Sequence, residues 1–405
     1  MKILFIGSLI EDHSIDDIVK KSKVKPSNAP VYFEKMLAKG LIENGVELDV
    51  LSVPTVSTYP HGSLLAWGRR KETLDFGQQV TWIPCLNLMF FKQLSVRIGS
   101  FLGTLKWVWE NRKEKEKTIL NYSVYPPYSS TTQLIGRLFH VPTCSIITDL
   151  PEYLYKMGKA SGLRKYLNEY YSKQMVKYQG RYDRYVFLTE HMAKRMKLED
   201  KPSILMEGFA DEHLFDGIGP VPKNAKKAVM YAGRLTEDFN IRALVDGFMQ
   251  TRGDYELWLF GSGDMENYIK QCAQQDQRIR FYGKVDRKDL LEHMKMAHLL
   301  VSVKSPNEDH ANYAFPSKIL EYMTSGTVVA STRVGGIPQE YFKYIIPIER
   351  ADAQGIKHTI DKILPLTDKE MRCIGEKTRT YAIMNKNYIH QSQRICDFFY
   401  HEAKE

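Results

Sequence analysis

The feature that most constrains the fold is the spacing of short apolar runs in the second half of the chain. Ala228-Val-Met-Tyr-Ala232 ends at Gly233, Tyr255-Glu-Leu-Trp-Leu-Phe260 ends at Gly261-Ser-Gly263, and Ile279-Arg-Phe-Tyr282 ends at Gly283. Leu299–Val303 and Val328–Ser331 continue the series, and Ile241–Phe248 and Ser317–Ser325 show helical spacing between the runs. Apolar runs of this length are strands buried on both faces. Their alternation with helices predicts an α/β domain, a parallel sheet with helices on both sides.

The first half reads the same way, with longer insertions. Its predicted strands are Lys2–Ile6, Glu47–Ser52, Lys117–Asn121, Thr143–Ile147 and Arg184–Leu188. An amphipathic helix from Val31 to Asn44 ends at Gly45, a natural residue just past a helix end. Two Rossmann-like, doubly wound halves joined near Glu207-Gly208 predict one domain over residues 1–207 and another over 208–382. A helix within 383–405 is expected to cross back to the first. Ligands of such sheets bind beyond the carboxyl ends of the strands, and two such sheets would face each other across a cleft. Ser8 to Pro30 reads as a long, polar, lysine-rich loop at the cleft rim, either an acceptor-side flap or a solvated loop.

Composition narrows the setting. A chain of 405 residues, 43% hydrophobic, has room for two or three cores. Met1-Lys2 leads straight into Ile3-Leu-Phe-Ile6, which is too short for a secretory signal. The apolar stretch Val80–Trp109 is interrupted by Lys92, Arg97 and Lys106, so no membrane span is expected. Five scattered cysteines without CxxC spacing point to a reducing cytoplasm and away from a disulfide framework or structural zinc. The whole formal charge of +9 lies within residues 1–200. Such a basic half suits an acidic partner such as anionic lipid, or serves solubility alone. It carries no nucleic-acid recognition motif, and nucleic acid is not an expected partner.

Chemistry concentrates in Tyr313-Ala314-Phe315-Pro316-Ser317-Lys318-Ile319-Leu320-Glu321. Pro316 and Ser317 suit the first turn of a helix, and Gly326 suits its end. Backbone amides of Phe315 to Lys318 would then point out of the helix mouth beside the Lys318 charge, which favours an anion. Glu321 lies one turn further on the same face, where a carboxylate can accept bonds from ribose hydroxyls. That is the footprint of a nucleotide diphosphate. Spacing alone fits equally an amphipathic helix with a surface Lys and Glu.

Over nearly its whole length the chain resembles retaining glycosyltransferases of family 4 with the GT-B fold. The similar branch has the donor motif Phe-Pro-Ser-Lys…Glu-Tyr and builds bacterial cell-surface polysaccharide. The resemblance implies two Rossmann-like domains facing across a cleft, with a nucleotide-sugar, by family frequency a UDP-sugar, as donor substrate. In the family's Glu-x7-Glu motif the second glutamate binds the ribose, and Glu321 matches it. Tyr313 stands where the sugar-contacting glutamate is expected, so sugar and phosphate fall to the backbone of Ala314 to Ser317. The family's Gly-Arg-Leu turn matches Gly233-Arg234-Leu235, but Phe239 occupies the position of its diphosphate-binding lysine. Arg234 then shares the leaving-group charge with Lys318, helped by Lys304. Phe281-Tyr-Gly-Lys284-Val285 matches the segment whose backbone holds the base, and Gly261-Ser-Gly263 and Val334-Gly-Gly-Ile-Pro338 also fit.

In the first half, Thr148-Asp149-Leu-Pro151 takes the place of a family His-Asp or His-Glu pair. Asp149 is thereby the candidate for orienting or deprotonating the acceptor hydroxyl, with capping of the next helix as its alternative. Gly7-Ser8 occupies the small-residue loop brought near the donor phosphate. The implied reaction retains the anomeric configuration and uses neither cofactor nor metal. The implied acceptor is a glycan or a polyprenyl-diphosphate-linked carrier at the inner membrane face, with Leu86–Trp109 as a candidate lipid contact. A second reading keeps the fold as a catalytically silent subunit supporting a partner transferase, motivated by Tyr313, Phe239 and Thr148.

Overall fold

A computed structural model describes residues 1–24, 29–150 and 162–402. The chain forms two compact units. One comprises Met1–Leu188, Met192–Met206 and Tyr388–Glu405, and the other comprises Thr189–His191 and Glu207–Asn387.

The second unit follows from the apolar runs. Its six strands lie in the order Ile279–Gly283, Tyr255–Ser262, Lys227–Arg234, Leu299–Ser302, Val328–Thr332, Ile346–Ile348, all parallel. In chain order this is 3-2-1-4-5-6, and the strand order reverses between Lys227–Arg234 and Leu299–Ser302. Alternate residues of the first strand serve opposite faces. Ala228, Met230 and Ala232 pack into one buried cluster, Val229 and Tyr231 into the other. The last helix of the unit, Asp368–Lys386, begins at a Thr367/Glu370 capping box and runs past the expected boundary at residue 382. It continues because Tyr381, Ala382 and Lys386 are all buried. Lys386 donates to Glu207 at 2.9 Å and to Glu340 at 2.6 Å, and the Ala210 N–H bonds the Lys386 carbonyl. This buried charge pairing fastens the start of the unit to its end.

The first unit holds an eight-stranded sheet ordered Ser203–Leu205, Arg184–Phe187, Thr143–Ile147, Lys117–Tyr122, Lys2–Gly7, Glu47–Ser52, Gln79–Trp82, Lys71–Thr73. Only Lys71–Thr73 runs antiparallel. Strand order reverses at Lys2–Gly7, which lies between Lys117–Tyr122 and Glu47–Ser52. The final helix, Tyr388–Glu402, belongs to this unit and lies on Ala29–Glu43.

The expectation of a long loop from Ser8 to Pro30 is corrected. Asp12–Lys21 is a helix whose N-terminus is capped by the Glu11 carboxylate accepting from the Ser14 N–H. Only Ile15 and Ile18 anchor it, too few apolar residues to show a periodicity among so many charges. Residues 25–28 of that stretch lie outside the described residues.

Helix Ala29–Glu43 brings a carboxyl group into the core. Glu34 is fully buried beneath the turn that follows Lys2–Gly7. The Ser8 N–H donates to it at 2.7 Å, and the Ser8 hydroxyl lies 2.5 Å from its other oxygen. A side chain at Gly7 would collide with this carboxyl, because a methyl group there would lie only 2.4 Å from Oε2. Desolvation raises the Glu34 pKa to about 8, against the bonds from Ser8 and Leu9. Because the folded pKa is raised, this group's contribution to stability is full below its unfolded pKa and is lost as pH rises through about 8. A glutamine can donate to the Ser8 hydroxyl and accept from its N–H, as the protonated acid does. Glu34→Gln should therefore flatten the fall in stability between about pH 5 and 8, read by denaturant unfolding across pH. An unchanged slope would assign that dependence to another group.

Candidate functional site

The strand Lys227–Arg234 outruns its neighbour: pairing with Leu299–Ser302 stops at Met230↔Leu300. On its other side it stays paired with Tyr255–Ser262 through Arg234↔Ser262. The backbone groups of Ala232 are met by a side chain. Tyr322, fully buried, accepts from the Ala232 N–H at 2.9 Å and donates to the Ala232 carbonyl at 3.2 Å. Tyr322 belongs to the helix Lys318–Thr324, so the bond seats that helix against the strand that ends in Arg234. Tyr231 donates to the Arg234 carbonyl at 2.9 Å and fixes the turn from the opposite face.

Glycine is required where backbones meet here. Gly261 has φ +123°, and a methyl group on it would lie 1.8 Å from the Gly233 carbonyl oxygen. Gly336 donates to the Ala311 carbonyl at 3.0 Å, and a methyl group there would lie 2.4 Å from the Ala314 carbonyl oxygen. The Val334–Pro338 turn is thereby packed onto the segment that enters the Lys318 helix.

Charges gather along this edge. Arg234 is exposed at its strand end. Lys318 and Glu321 are partly buried and paired with each other at 3.0 Å, and Arg287 approaches the second Glu321 oxygen at 3.7 Å. The helix has only seven residues, and Ser317 at its mouth makes no side-chain cap bond. Its dipole is correspondingly small, so the side-chain cations carry most of the local field. Lys304, two residues beyond Leu299–Ser302, is only 7% exposed. Its carbonyl accepts from the Thr332 hydroxyl at 2.6 Å, and its ammonium lies 5.8 Å from the centre of the Phe239 ring. Desolvation pulls the Lys304 pKa down to about 8, against the attraction of Glu308 and Asp238. A cation thus stands beside the phenylalanine that replaces the expected lysine.

The remaining expected residues of this unit fall into two places. Tyr313, Ala314, Phe315 and Pro316 connect the turn Asp309–Asn312 to the Lys318 helix, with the Tyr313 N–H bonded to the His310 carbonyl at 3.2 Å. Lys284 and Val285 follow the edge strand Ile279–Gly283, separated from Lys227–Arg234 by one intervening strand. Among the described residues, no cluster of three or more His, Cys, Asp or Glu is placed to hold a metal ion.

In the first unit, Gly7, Ser8 and Asp149 stand at the carboxyl ends of Lys2–Gly7 and Thr143–Ile147, which flank Lys117–Tyr122. Asp149 keeps an exposed flank, yet desolvation by surrounding protein raises its pKa, opposed by a hydrogen bond from Thr148. Pro151 of that stretch lies outside the described residues. Glu34, Arg287 and the role of Tyr322 are not anticipated by the sequence motifs. A glutamate spaced with Val31, Leu37, Ala38 and Leu41 on one apolar helix face is the available sign of burial for Glu34.

Residues 226–365 match the family described as glycosyl transferases group 1. No curated protein sequence matches the chain. The sucrose-phosphate synthase tll1590 of Thermosynechococcus elongatus is similar in structure, with 14% identity, a TM-score of 0.59 and 99% of each chain covered. Anabaena Alr3699/HepE in complex with UDP aligns with 14% identity and a TM-score of 0.55, covering 98% of this chain and 99% of its own. The lipopolysaccharide outer core galactosyltransferase WaaB aligns with 12% identity and a TM-score of 0.58, covering 99% of this chain and all of its own. At such identities the likeness speaks for the fold, and the group 1 match speaks for the activity. The chain has the GT-B fold of two Rossmann-like domains and is a glycosyltransferase.

Proposed function

We propose that the chain transfers a sugar, with retention of anomeric configuration, from a UDP-sugar to a hydroxyl of a glycan or polyprenyl-diphosphate-linked acceptor in exopolysaccharide or capsule synthesis. The observation that carries the reading is that Arg234 and Lys304 stand at or just beyond the carboxyl ends of the two strands between which the strand order of the second unit reverses, and that Tyr322 seats the helix bearing Lys318 and Glu321 on the first of them. Two phosphates need several cations, and a ribose needs a carboxylate about one helical turn away. The Lys318–Glu321 bond pairs the two side chains before donor binds. Phosphate then competes for the lysine while ribose hydroxyls take the carboxylate.

In the proposed reaction the acceptor oxygen attacks the anomeric carbon from the face that the diphosphate leaves. The bond from that carbon to the diphosphate oxygen breaks, and the acceptor proton passes to a phosphate oxygen. Negative charge grows on the diphosphate, and preorganised cations stabilise it without a metal ion. Asp149 orients the acceptor hydroxyl by accepting a hydrogen bond from it. No helix among the described residues is long and apolar enough to cross a membrane. The reading takes contact with a lipid-borne acceptor to be peripheral, at the cytoplasmic face.

Calorimetric titration with UDP tests the reading. Wild type should bind, and Lys318→Ala/Glu321→Ala should bind about 100-fold more weakly, as expected for the loss of two charge-assisted contacts. Absence of binding to wild type would remove the nucleotide reading and favour a silent subunit. UDP affinity should also fall as pH rises through about 8, where Lys304 loses its charge. Lys304→Met should bind more weakly at neutral pH and show little slope above it. A slope equal to that of wild type would exclude Lys304 as its source.

A further inference from the structure

The 20-residue helix Phe91–Glu110 carries apolar side chains on both its buried and its exposed sides. Its buried side carries Val96, Ser100, Thr104, Trp107 and Val108. Trp107 ties that side to the sheet by donating to Asp49 at 2.8 Å, and Lys92 donates to the Val56 carbonyl. The opposite side carries Phe91, Leu94, Ile98, Leu102 and Trp109, recurring at helical spacing, and each is more than half exposed. The helix thus sends two hydroxyl residues to the core and a line of five large apolar side chains, about 30 Å long, to solvent. Helix Pro126–Phe139 lies against it and adds exposed Leu134 and Leu138. Between the two runs a groove of about 510 Å³, lined by Ile98, Leu102 and Leu134 together with Arg97, Arg137 and Arg181. The three arginines are exposed.

We propose that this two-helix face seats the protein on the surface of an anionic phospholipid bilayer. Exposed apolar residues in one contiguous line mark an interaction surface, whereas isolated ones need no explanation. The charge around the line selects the occupant. The +9 excess of the chain lies within residues 1–200, and the arginines edge the apolar groove itself. A second copy docked on this face by two-fold symmetry would bring each arginine cluster against its like, at a cost. An anionic lipid surface attracts the same cations while acyl chains take the apolar line. Aromatic residues at the two ends, Phe90 and Phe91 at one and Trp109 at the other, suit the headgroup boundary. The surface rests on the proposed lipid-borne acceptor only for its purpose. Its evidence is independent of the nucleotide site.

Flotation of the full chain with phosphatidylcholine vesicles, with and without phosphatidylglycerol, tests the proposal, with UDP calorimetry on the same preparations as a check of folding. Wild type should float with the anionic vesicles only, and raising salt from about 0.05 to 0.5 M should release most of it. Ile98→Asp/Leu102→Asp, which alters exposed positions alone, should weaken binding about 100-fold while UDP binding persists. Arg97→Gln/Arg137→Gln should weaken it about tenfold. Three results would overturn the proposal: wild type that stays in solution with anionic vesicles, aspartate variants that bind as wild type does, or a wild-type dimer that the aspartates split into monomers. Vesicle binding without UDP binding would leave the surface standing and remove the nucleotide reading.

Discussion

One hydroxyl group sets the geometry of the candidate donor site. Where Lys227–Arg234 extends beyond its pairing with Leu299–Ser302, the backbone of Ala232 must be satisfied inside the protein. Tyr322 does this with a single oxygen that accepts from the N–H and donates to the carbonyl. Leaving such buried groups unmet costs about 1–3 kcal/mol each. The same contact fixes the helix that carries Lys318 and Glu321 relative to the strand that ends in Arg234. The geometry of the cations is therefore inherited from the backbone of the sheet.

The charge arrangement follows from that placement. A lysine as buried as Lys304 is costly without an anionic partner, and its lowered pKa reflects that cost. Lys318 and Glu321 meet theirs by pairing with each other. A nucleoside diphosphate would satisfy Lys304 and exchange partners with the other two. The first unit uses a related arrangement: Glu34 sits under the Gly7-Ser8 turn, held by Ser8 from both backbone and hydroxyl. In both units a charged or titratable group is buried where the strand order reverses, and polar backbone geometry holds it there.

The central sheet strands were legible because parallel strands buried on both faces must be continuously apolar, as Ala228–Ala232 and Val328–Ser331 are, whereas the short strands Lys71–Thr73, Gln79–Trp82, Ser203–Leu205 and Ile346–Ile348 were not. Gly233 and Gly261 were legible as the ends of their apolar runs, yet both pair with each other within the strands, and the 1.8 Å approach to the Gly233 carbonyl explains why no larger residue fits at Gly261. Less could be read where function depends on three-dimensional neighbours. Lys304 and Phe239 lie far apart in the chain, so their proximity in space is invisible to spacing. Asp12–Lys21 was hidden because two isoleucines do not make a periodicity. Leu86–Trp109 was readable as an apolar stretch and a candidate lipid contact, but not which side of the helix Phe91–Glu110 turns to the core, because burial there is decided by Trp107 and its bond to Asp49. Glu34 was overlooked because glutamate on a helix is ordinarily solvated.

In the proposed donor complex Arg234, Lys304 and Lys318 hold a diphosphate whose ribose rests on Glu321. A crystal structure of the protein with UDP tests this most directly. Phosphate oxygens should lie within about 3 Å of all three cations, with both ribose hydroxyls on the Glu321 carboxylate and the Lys318–Glu321 bond opened. UDP bound away from these residues, or bound with the Lys318–Glu321 pair intact and Lys304 untouched, would contradict it.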